Sequence, residues 1–276
     1  MRAMSLPFAK MHGLGNDFVV IDTRAAPVAM TDALARAIAD RRTGVGCDQL
    51  ILVGPSQRAD VTMRIFNQDG SEVEACGNAT RCVPLFVGRD VTIETKAGLL
   101  HAARTGDLVS VDMGEPRLRW DEIPLAYAMD TLVMPTSWED LPAPGAVSMG
   151  NPHVVFFLER DMDPADMARL GPLIEHDPLF PNRVNVNFAR LLARDHLALT
   201  VWERGAGFTR ACGTGACATA VAAIRRGIVT APVRVTLAGG ELLIDWAPGG
   251  HVTMTGPATH VFEGRIDLDA LMRAST

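Results

Sequence analysis

The sequence predicts an α+β fold made of two pseudo-symmetric halves, and three observations predict it. Short β-rich runs recur along the whole chain with few helical stretches between them. The tripeptide Ala-Cys-Gly occurs twice, in Glu74-Ala-Cys-Gly-Asn-Ala-Thr-Arg-Cys82 and in Arg210-Ala-Cys-Gly-Thr-Gly-Ala-Cys217. Each time it is followed by a small or polar residue and the opening of a helix. The two cysteines lie 136 residues apart (212 − 76), close to half of 276. A repeat of that length points to duplicated domains rather than a solenoid.

In the first half, residues 18–22, 49–53, 61–66, 91–95 and 108–112 read as strands, being β-rich and bounded by Gly, Pro, Asn or Asp. Residues 31–41 read as a helix, with Thr31 as N-cap and apolar residues at helical spacing. The stretch 115–144 carries prolines at 116, 124, 135 and 142 and reads as the crossover. In the second half, residues 154–158, 183–188, 197–203, 233–237, 241–246 and 251–255 read as strands, and 216–226 as a helix. The expected division is 1–118 for the first half, with 264–276 returning to it, and 119–263 for the second.

Composition narrows the function. Hydrophobic residues at 48% and charged residues at 21% suit a globular chain with a sizeable core. A net charge of −6 argues against nucleic-acid or anionic-membrane partners, which require a basic face. The first ten residues lack a signal peptide's apolar stretch, and no window approaches a membrane span, so a cytoplasmic location is expected. Five cysteines, at 47, 76, 82, 212 and 217, are an odd number, and reduced thiols fit better than a disulfide framework. Their spacing suits neither zinc nor a Cys-x-x-Cys redox pair.

Ala-Cys-Gly at a helix start has chemical consequences. First-turn N–H groups lack helical partners and carry partial positive charge, and glycine lets a ligand approach them. A carboxylate fits there, and a cysteine there is expected to have a lowered pKa. Two such sites could hold one α-carboxylate and present two sulfurs to opposite faces of its α-carbon. One thiolate then removes the α-proton while the opposite thiol protonates the other face. The competing reading of any lone cysteine is an inert buried thiol. Cys47, Cys82 and Cys217 keep that reading, the last two because they sit a turn or more into their helices.

Over nearly its whole length the chain resembles the diaminopimelate epimerase family. The matching segments are Met11-His-Gly-Leu-Gly-Asn-Asp-Phe18, Gly46-Cys-Asp-Gln-Leu50, Arg64-Ile-Phe-Asn-Gln-Asp-Gly-Ser-Glu-Val73 with Cys76-Gly-Asn78, Gly150-Asn-Pro-His153, Arg183-Val-Asn185, and Glu203-Arg-Gly-Ala-Gly207 with Ala211-Cys-Gly-Thr-Gly-Ala-Cys217. Any one is weak; six in family order are specific. The resemblance implies conversion of LL-2,6-diaminoheptanedioate to its meso isomer, a step toward lysine and peptidoglycan precursors. It implies that each half is a β-barrel-like sheet wrapped around a central helix, with the site in the cleft between halves. It also implies a homodimer and neither cofactor nor metal.

Cys76 and Cys212 fall on the family's catalytic pair, and His153 and Glu203 on positions that adjust the thiols. Asn16, Gln49, Asn67, Asn151, Asn185 and Arg204 fall on substrate-binding positions. Gly77 with Asn78, and Gly213 with Thr214, fall on the backbone cradles of the α-carboxylate. The chemistry agrees: amides serve both carboxylate and ammonium groups, Arg204 can grip a distal carboxylate, and Glu203 can hold a distal ammonium or act on a thiol. His153 can stabilise a thiolate if charged or relay a proton if neutral. Plainer roles exist for each: the asparagines at 16, 67 and 151 as turn formers, Gln49 on a surface, His153 in the core, Glu203–Arg204 as a solvated pair. Asn185, in a strand-like run where Asn is disfavoured, is the exception. Departures from the family pattern are Ala79-Thr80-Arg81, Phe208-Thr209-Arg210 and Cys47; they flank the named residues without removing them. A proline or hydroxyproline racemase shares the two-thiol logic but has no distal carboxylate for Arg204, Asn67 and Asn185. A phenazine-type isomerase or a non-catalytic binding relative would lack one thiol.

Overall fold

The structure, a computed structural model, describes residues 5–74, 76–268 and 270–271. In chain order its elements are β1 (Ser5–Gly13), β2 (Asn16–Asp22), α1 (Asp32–Ala39), β3 (Gln49–Gly54), β4 (Val61–Asn67), β5 (Glu72–Val73), α2 (Gly77–Val87), β6 (Val91–Thr95), β7 (Gly98–Thr105), β8 (Leu108–Asp112), β9 (Gly145–Ser148), β10 (Pro152–Leu158), α3 (Pro164–Glu175), β11 (Asn185–Ala193), β12 (His196–Glu203), β13 (Gly207–Phe208), α4 (Gly213–Arg225), β14 (Val233–Leu237), β15 (Gly240–Asp245), β16 (Thr253–Pro257) and β17 (Thr259–Asp267). The fold is the sheet-dominated α+β class with few helices. Among the described residues no helix is long and apolar enough to cross a membrane.

The chain divides into a first unit, Met1–Val111 with Gly256–Thr276, and a second, Asp112–Thr255. Both boundaries fall inside strands, β8 and β16, upstream of the positions 118/119 and 263/264 read from the sequence. The Pro-rich stretch therefore belongs to the second unit. The segment returning to the first unit includes β17, which pairs antiparallel with β1 from Ser5↔Asp267 onward. Residues 269 and 272–276 of that segment lie outside the described residues.

The two units repeat one strand plan. In the first, β1 is antiparallel to β2, β2 parallel to β3, β3 antiparallel to β4, β4 parallel to β6 and β6 antiparallel to β7. In the second, β9, β10, β11, β12, β14 and β15 follow with the same directions. Parallel neighbours need a crossover, and α1 and α3 supply it at matching places. A two-residue strand, β5 on β4 and β13 on β12, leads into α2 and α4. Helix α2 packs on β1, β6, β7 and β17; α4 packs on β9 to β12, β14 and β15. Both are buried for most of their length, and the alanines at 216, 218, 220, 222 and 223 let strands of the second unit approach α4 closely.

Local chemistry explains the helix ends. Thr31 Oγ1 accepts the Leu34 N–H at 3.2 Å and starts α1, as its sequence suggests. Asp163 accepts the Ala165 N–H at 2.8 Å, with Pro164 at the first helical position, and starts α3. The sequence reading assigned no element there, because Gly171-Pro172 interrupts the helical pattern. Gly171 is needed in that helix: a Cβ would lie 2.5 Å from the Trp202 ring. Strand β11 begins at Asn185 rather than Arg183, since Arg183 holds a φ of 58° that no strand accommodates.

Candidate functional site

In the first unit the singled-out residues gather around the start of α2. Cys76 is its N-cap, with extended backbone (φ −148°, ψ 109°) and a half-buried side chain. Asn16, at the start of β2, places its Oδ1 3.8 Å from Cys76 Sγ and accepts Asn78 Nδ2 at 3.2 Å. Its own Nδ2 donates to Asp48 Oδ2 at 3.0 Å. The Asn78 amide is oriented by Arg81, a fully buried cation whose Nη2 donates to Asn78 Oδ1 at 2.9 Å. Gly13 at the end of β1 makes room for this: a Cβ there would lie 2.9 Å from Arg81 Nη2. Gln49 and Asn67 face each other across β3 and β4, with Gln49 Nε2 donating to Asn67 Oδ1 at 3.0 Å. Gln49 Oε1 is buried with no partner among the described residues, unlike the surface side chain its plainer reading proposed.

In the second unit the corresponding residues gather around the start of α4. Cys212 is its N-cap (φ −126°, ψ 107°) and is buried. Its Sγ accepts the Gly215 N–H at 3.4 Å and lies 3.6 Å from Thr214 Oγ1. Asn151 Nδ2 donates to Thr214 Oγ1 at 3.2 Å, the reverse of the first unit, where the helix residue Asn78 donates to Asn16. His153 Nε2 lies 3.1 Å from both Asn151 Oδ1 and Thr214 Oγ1. Asn185 Nδ2 donates to Pro152 O at 2.9 Å, and its Oδ1 accepts the Arg204 N–H at 2.9 Å. Glu203 accepts from Thr209 Oγ1, and its carboxylate acts electrostatically on the Cys212 thiol. The Arg204 side chain is exposed and donates from Nη1 to Asn182 O at 3.0 Å. The loop carrying 203 and 204 is held by Glu175 at the end of α3, buried at 3% exposure, which accepts Trp202 Nε1 and Gly205 N.

Electrostatics overturn one expectation. A helix start should lower a thiol pKa, yet burial pushes the Cys212 thiol well above its ordinary value, and the neighbouring Glu203 carboxylate adds to the shift. The hydrogen bonds from Thr214 and the Gly215 N–H act the other way but do not outweigh desolvation. Burial also raises the Glu203 carboxyl. It holds the His153 imidazole down to about 3, and the Arg204 charge assists that shift. An imidazole held that low by burial is neutral near pH 7. Cys47 and Cys82 are buried, and desolvation raises them to about 11 and about 12.

Sequence reasoning missed several residues that this geometry uses: Arg81, Glu175, Gly215 and above all Asn187. Asn187 is fully buried on β11, and its Nδ2 lies 3.2 Å from His153 Nδ1. The argument that flagged Asn185, an asparagine inside a strand, applies equally to it. The registers also expose an asymmetry. β2 pairs Phe18 with Gln49, and β10 pairs His153 with Asn185. Two residues on from Gln49 stands Ile51; two on from Asn185 stands Asn187. The buried pair Phe18 and Ile51 thus occupies in the first unit the places of His153 and Asn187 in the second.

The family model described as diaminopimelate epimerase matches residues 8–119 and 145–261. A diaminopimelate epimerase of Rhizorhabdus wittichii is 65% identical over 268 residues, covering 97% of each chain. One of Zymomonas mobilis is 60% identical over 265 residues, covering 96% of this chain and 98% of its own. Among solved structures, a hydroxyproline epimerase from Agrobacterium vitis superposes with a TM-score of 0.68 at 16% identity, over 98% of this chain and 94% of that one. At that identity the likeness is one of fold.

Proposed function

Because the chain belongs to the diaminopimelate epimerase family, we propose that it converts LL-2,6-diaminoheptanedioate to the meso isomer by exchange of one proton between two thiols. The observation that carries the mechanism is the recurrence of a cysteine as N-cap of the central helix in each unit, Cys76 on α2 and Cys212 on α4. One sulfur, as thiolate, takes the α-proton and breaks the C–H bond; the other, as thiol, delivers a proton to the opposite face and forms the new one. The charge states of the two sulfurs have then exchanged, and the next turnover runs in reverse or awaits proton exchange with water. No electron changes hands, so the reaction asks for no cofactor.

The remaining residues have parts in this reading. First-turn N–H groups at Gly77–Asn78 and Gly213–Thr214 take the α-carboxylate and stabilise the charge that develops on it. Asn16, Gln49, Asn67, Asn151 and Asn185 hold the polar ends of the substrate, and the Arg204 guanidinium grips the distal carboxylate. Glu203 and His153 act on Cys212, the sulfur beside which they lie. Resting Cys212, raised by burial and by Glu203, is a protonated thiol and serves as the acid for one direction of turnover. A homodimer and a cytoplasmic location are part of the same reading; the homodimer rests on the family resemblance, and sedimentation velocity and cell fractionation test the two.

The central experiment follows α-deuterium incorporation and stereochemistry in deuterium oxide, with LL-diaminopimelate, L-proline and trans-4-hydroxyproline as separate substrates. Exchange with inversion of diaminopimelate alone is expected, falling by ~10³-fold or more in Cys76→Ala and in Cys212→Ala, in line with loss of a general acid or base. Exchange with the proline substrates instead would remove the distal-carboxylate role of Arg204.

A further inference from the structure

The hydrogen-bond chain behind Cys212 has a direction, and Asn187 sets it. Asn187 Nδ2 lies 3.0 Å from Val154 O and 3.4 Å from Asn185 O, as well as 3.2 Å from His153 Nδ1. Backbone carbonyl oxygens only accept, so the amide nitrogen, not its oxygen, must face them. An amide nitrogen cannot accept, so the His153 Nδ1 that faces it at 3.2 Å cannot carry a proton and must present a lone pair. A neutral imidazole with a bare Nδ1 carries its proton on Nε2. That Nε2–H points at Thr214 Oγ1 and Asn151 Oδ1, both 3.1 Å away. Thr214 Oγ1 accepts from His153 and from Asn151 Nδ2, which leaves its own hydrogen for Cys212 Sγ at 3.6 Å.

Two further observations say that this arrangement serves the sulfur rather than the fold. The first unit builds the same strand pair with Phe18 and Ile51 at the matching positions, so the architecture stands without a polar pair there. Asn187 Oδ1 is moreover buried with no hydrogen-bond partner among the described residues. An unpaired buried acceptor is destabilising, and a leucine or isoleucine at 187 would avoid it.

We infer that Asn187 is a positioning residue that locks His153 in its Nε2–H tautomer and, through it, turns the Thr214 hydroxyl onto the Cys212 sulfur. The effect is one of orientation: no proton passes along the chain, and the hydroxyl stabilises the thiolate whenever it forms. The inference rests on Cys212 being an acid–base group of the proposed reaction. The charged groups that act on this chain are Glu203, beside the thiol, and Arg204, whose charge reaches His153.

The test is imidazole ¹⁵N NMR on full-length protein labelled at histidine. Wild type is expected to show His153 neutral from pH 5 to 8, with a protonated Nε2 and a bare Nδ1. Asn187→Asp presents oxygen instead of N–H to Nδ1 and is expected to move the proton to Nδ1. Nε2 then accepts the Thr214 hydroxyl and withdraws it from sulfur. In a Cys76→Ala background, alkylation of Cys212 by iodoacetamide at fixed pH is expected to slow by about tenfold in Asn187→Asp, the equivalent of about one unit in thiol pKa. Asn187→Ile, the residue of the other unit, is expected to give mixed tautomers and a lower kcat with KM little changed. A wild-type His153 protonated on Nδ1 overturns the inference, and this result needs no variant to fold. A tautomer that switches while Cys212 alkylation stays constant overturns it too. If Cys212→Ala keeps full α-deuterium exchange, the two-thiol reading fails instead, and the NMR result still reports separately on Asn187.

Discussion

Behind Cys76 the strand pair β2–β3 buries Phe18 and Ile51; behind Cys212 the equivalent pair β10–β11 buries His153 and Asn187. Both cysteines cap a central helix from an extended backbone; Asn16, at the start of β2, lies 3.8 Å from Cys76 Sγ, whereas Asn151, just before β10, bonds Thr214, which lies beside Cys212. The third residue after each cysteine differs: Ala79 in one helix, Gly215 in the other. At the end of the fourth strand of the plan, Asn67 in the first unit matches Glu203 in the second. A single backbone plan therefore carries a half-buried sulfur among neutral amides at one end, and at the other a buried sulfur with a carboxyl and an imidazole at hand. The plan fixes where each sulfur sits; the side chains behind it fix its acidity. Two thiols that must take opposite parts in one proton exchange gain from being unequal.

The largest break in this comparison is expected from Gly215→Ala. The new Cβ would lie 2.8 Å from Asn187 Oδ1 and 3.2 Å from Cys212 Sγ. Overpacking of this kind costs about 1–3 kcal/mol, and displacement of the sulfur by a fraction of an ångström is expected to lower kcat by ~100-fold. The mirror change, Ala79→Gly, costs the helix preference of alanine, about 0.5–1 kcal/mol, and the burial of one methyl, about 0.8 kcal/mol, and should leave kcat near wild type. Equal losses in the two variants would mean that the third position is not where the halves differ.

Next in size is Glu203→Gln. Removing the carboxylate beside Cys212 takes away the second cause of its raised pKa and leaves desolvation in place. Alkylation of Cys212 in a Cys76→Ala background should quicken by about tenfold near pH 7.5, if the thiol falls by one unit. Cys76, measured in a Cys212→Ala background, should be indifferent to the change. A slower Cys212 reaction would show that Glu203 assists thiolate formation rather than opposing it.

The smallest effect sharpens the comparison through stability. Burial holds His153 at about 3 in the folded protein, whereas an unfolded histidine titrates near about 6.5. Between these values the unfolded chain binds the extra proton, so the folded state loses stability as pH falls from about 6.5 toward 3. The limiting slope is about 1.4 kcal/mol per pH unit for one proton. His153→Phe, which copies the first unit, should remove that slope while releasing the Thr214 hydroxyl from its orientation. Urea unfolding at pH 7, 6, 5 and 4 measures it, and parallel slopes for the two proteins would contradict a buried neutral imidazole.

Much of this was legible in the residues, for identifiable reasons. β6, β8 and β14 have the bounds read from β-rich runs, because each is short, regular and flanked by breakers. Two of the strands missed draw their stability from each other. β1 contains Pro7 and Lys10, and β17 is largely exposed, so neither carries an alternation to read; they form by pairing with each other. α4 begins at Gly213, three residues before the helix read from sequence, because two glycines in its first turn mask it. At the site, Asn16 and Asn78 join the start of α2 and Asn151, His153 and Thr214 the start of α4, while Gln49 pairs with Asn67 and the Arg204 side chain with Asn182 O. What the motifs left dark was the layer behind them: a positional signal for Asn187 existed, but its partner at Nδ1 is set by a parallel strand register that no local pattern contains.

The first unit is interrupted in the sequence and the second is not. β1 leaves the ribosome before the whole of 112–255, yet its partner β17 is made only after it. The second unit is continuous and can close on itself as soon as it is synthesised, in keeping with domains folding as units during translation. The nascent β1 must meanwhile hold one edge unpaired, and such edges invite aggregation. Pro7 and Lys10 in β1 and the charged residues of β17, poor as strand signals, are well suited to that wait. The half that houses Cys76 is thus finished only on a chain whose Cys212 half already exists, so a truncated product cannot display the first sulfur in its folded setting without the second.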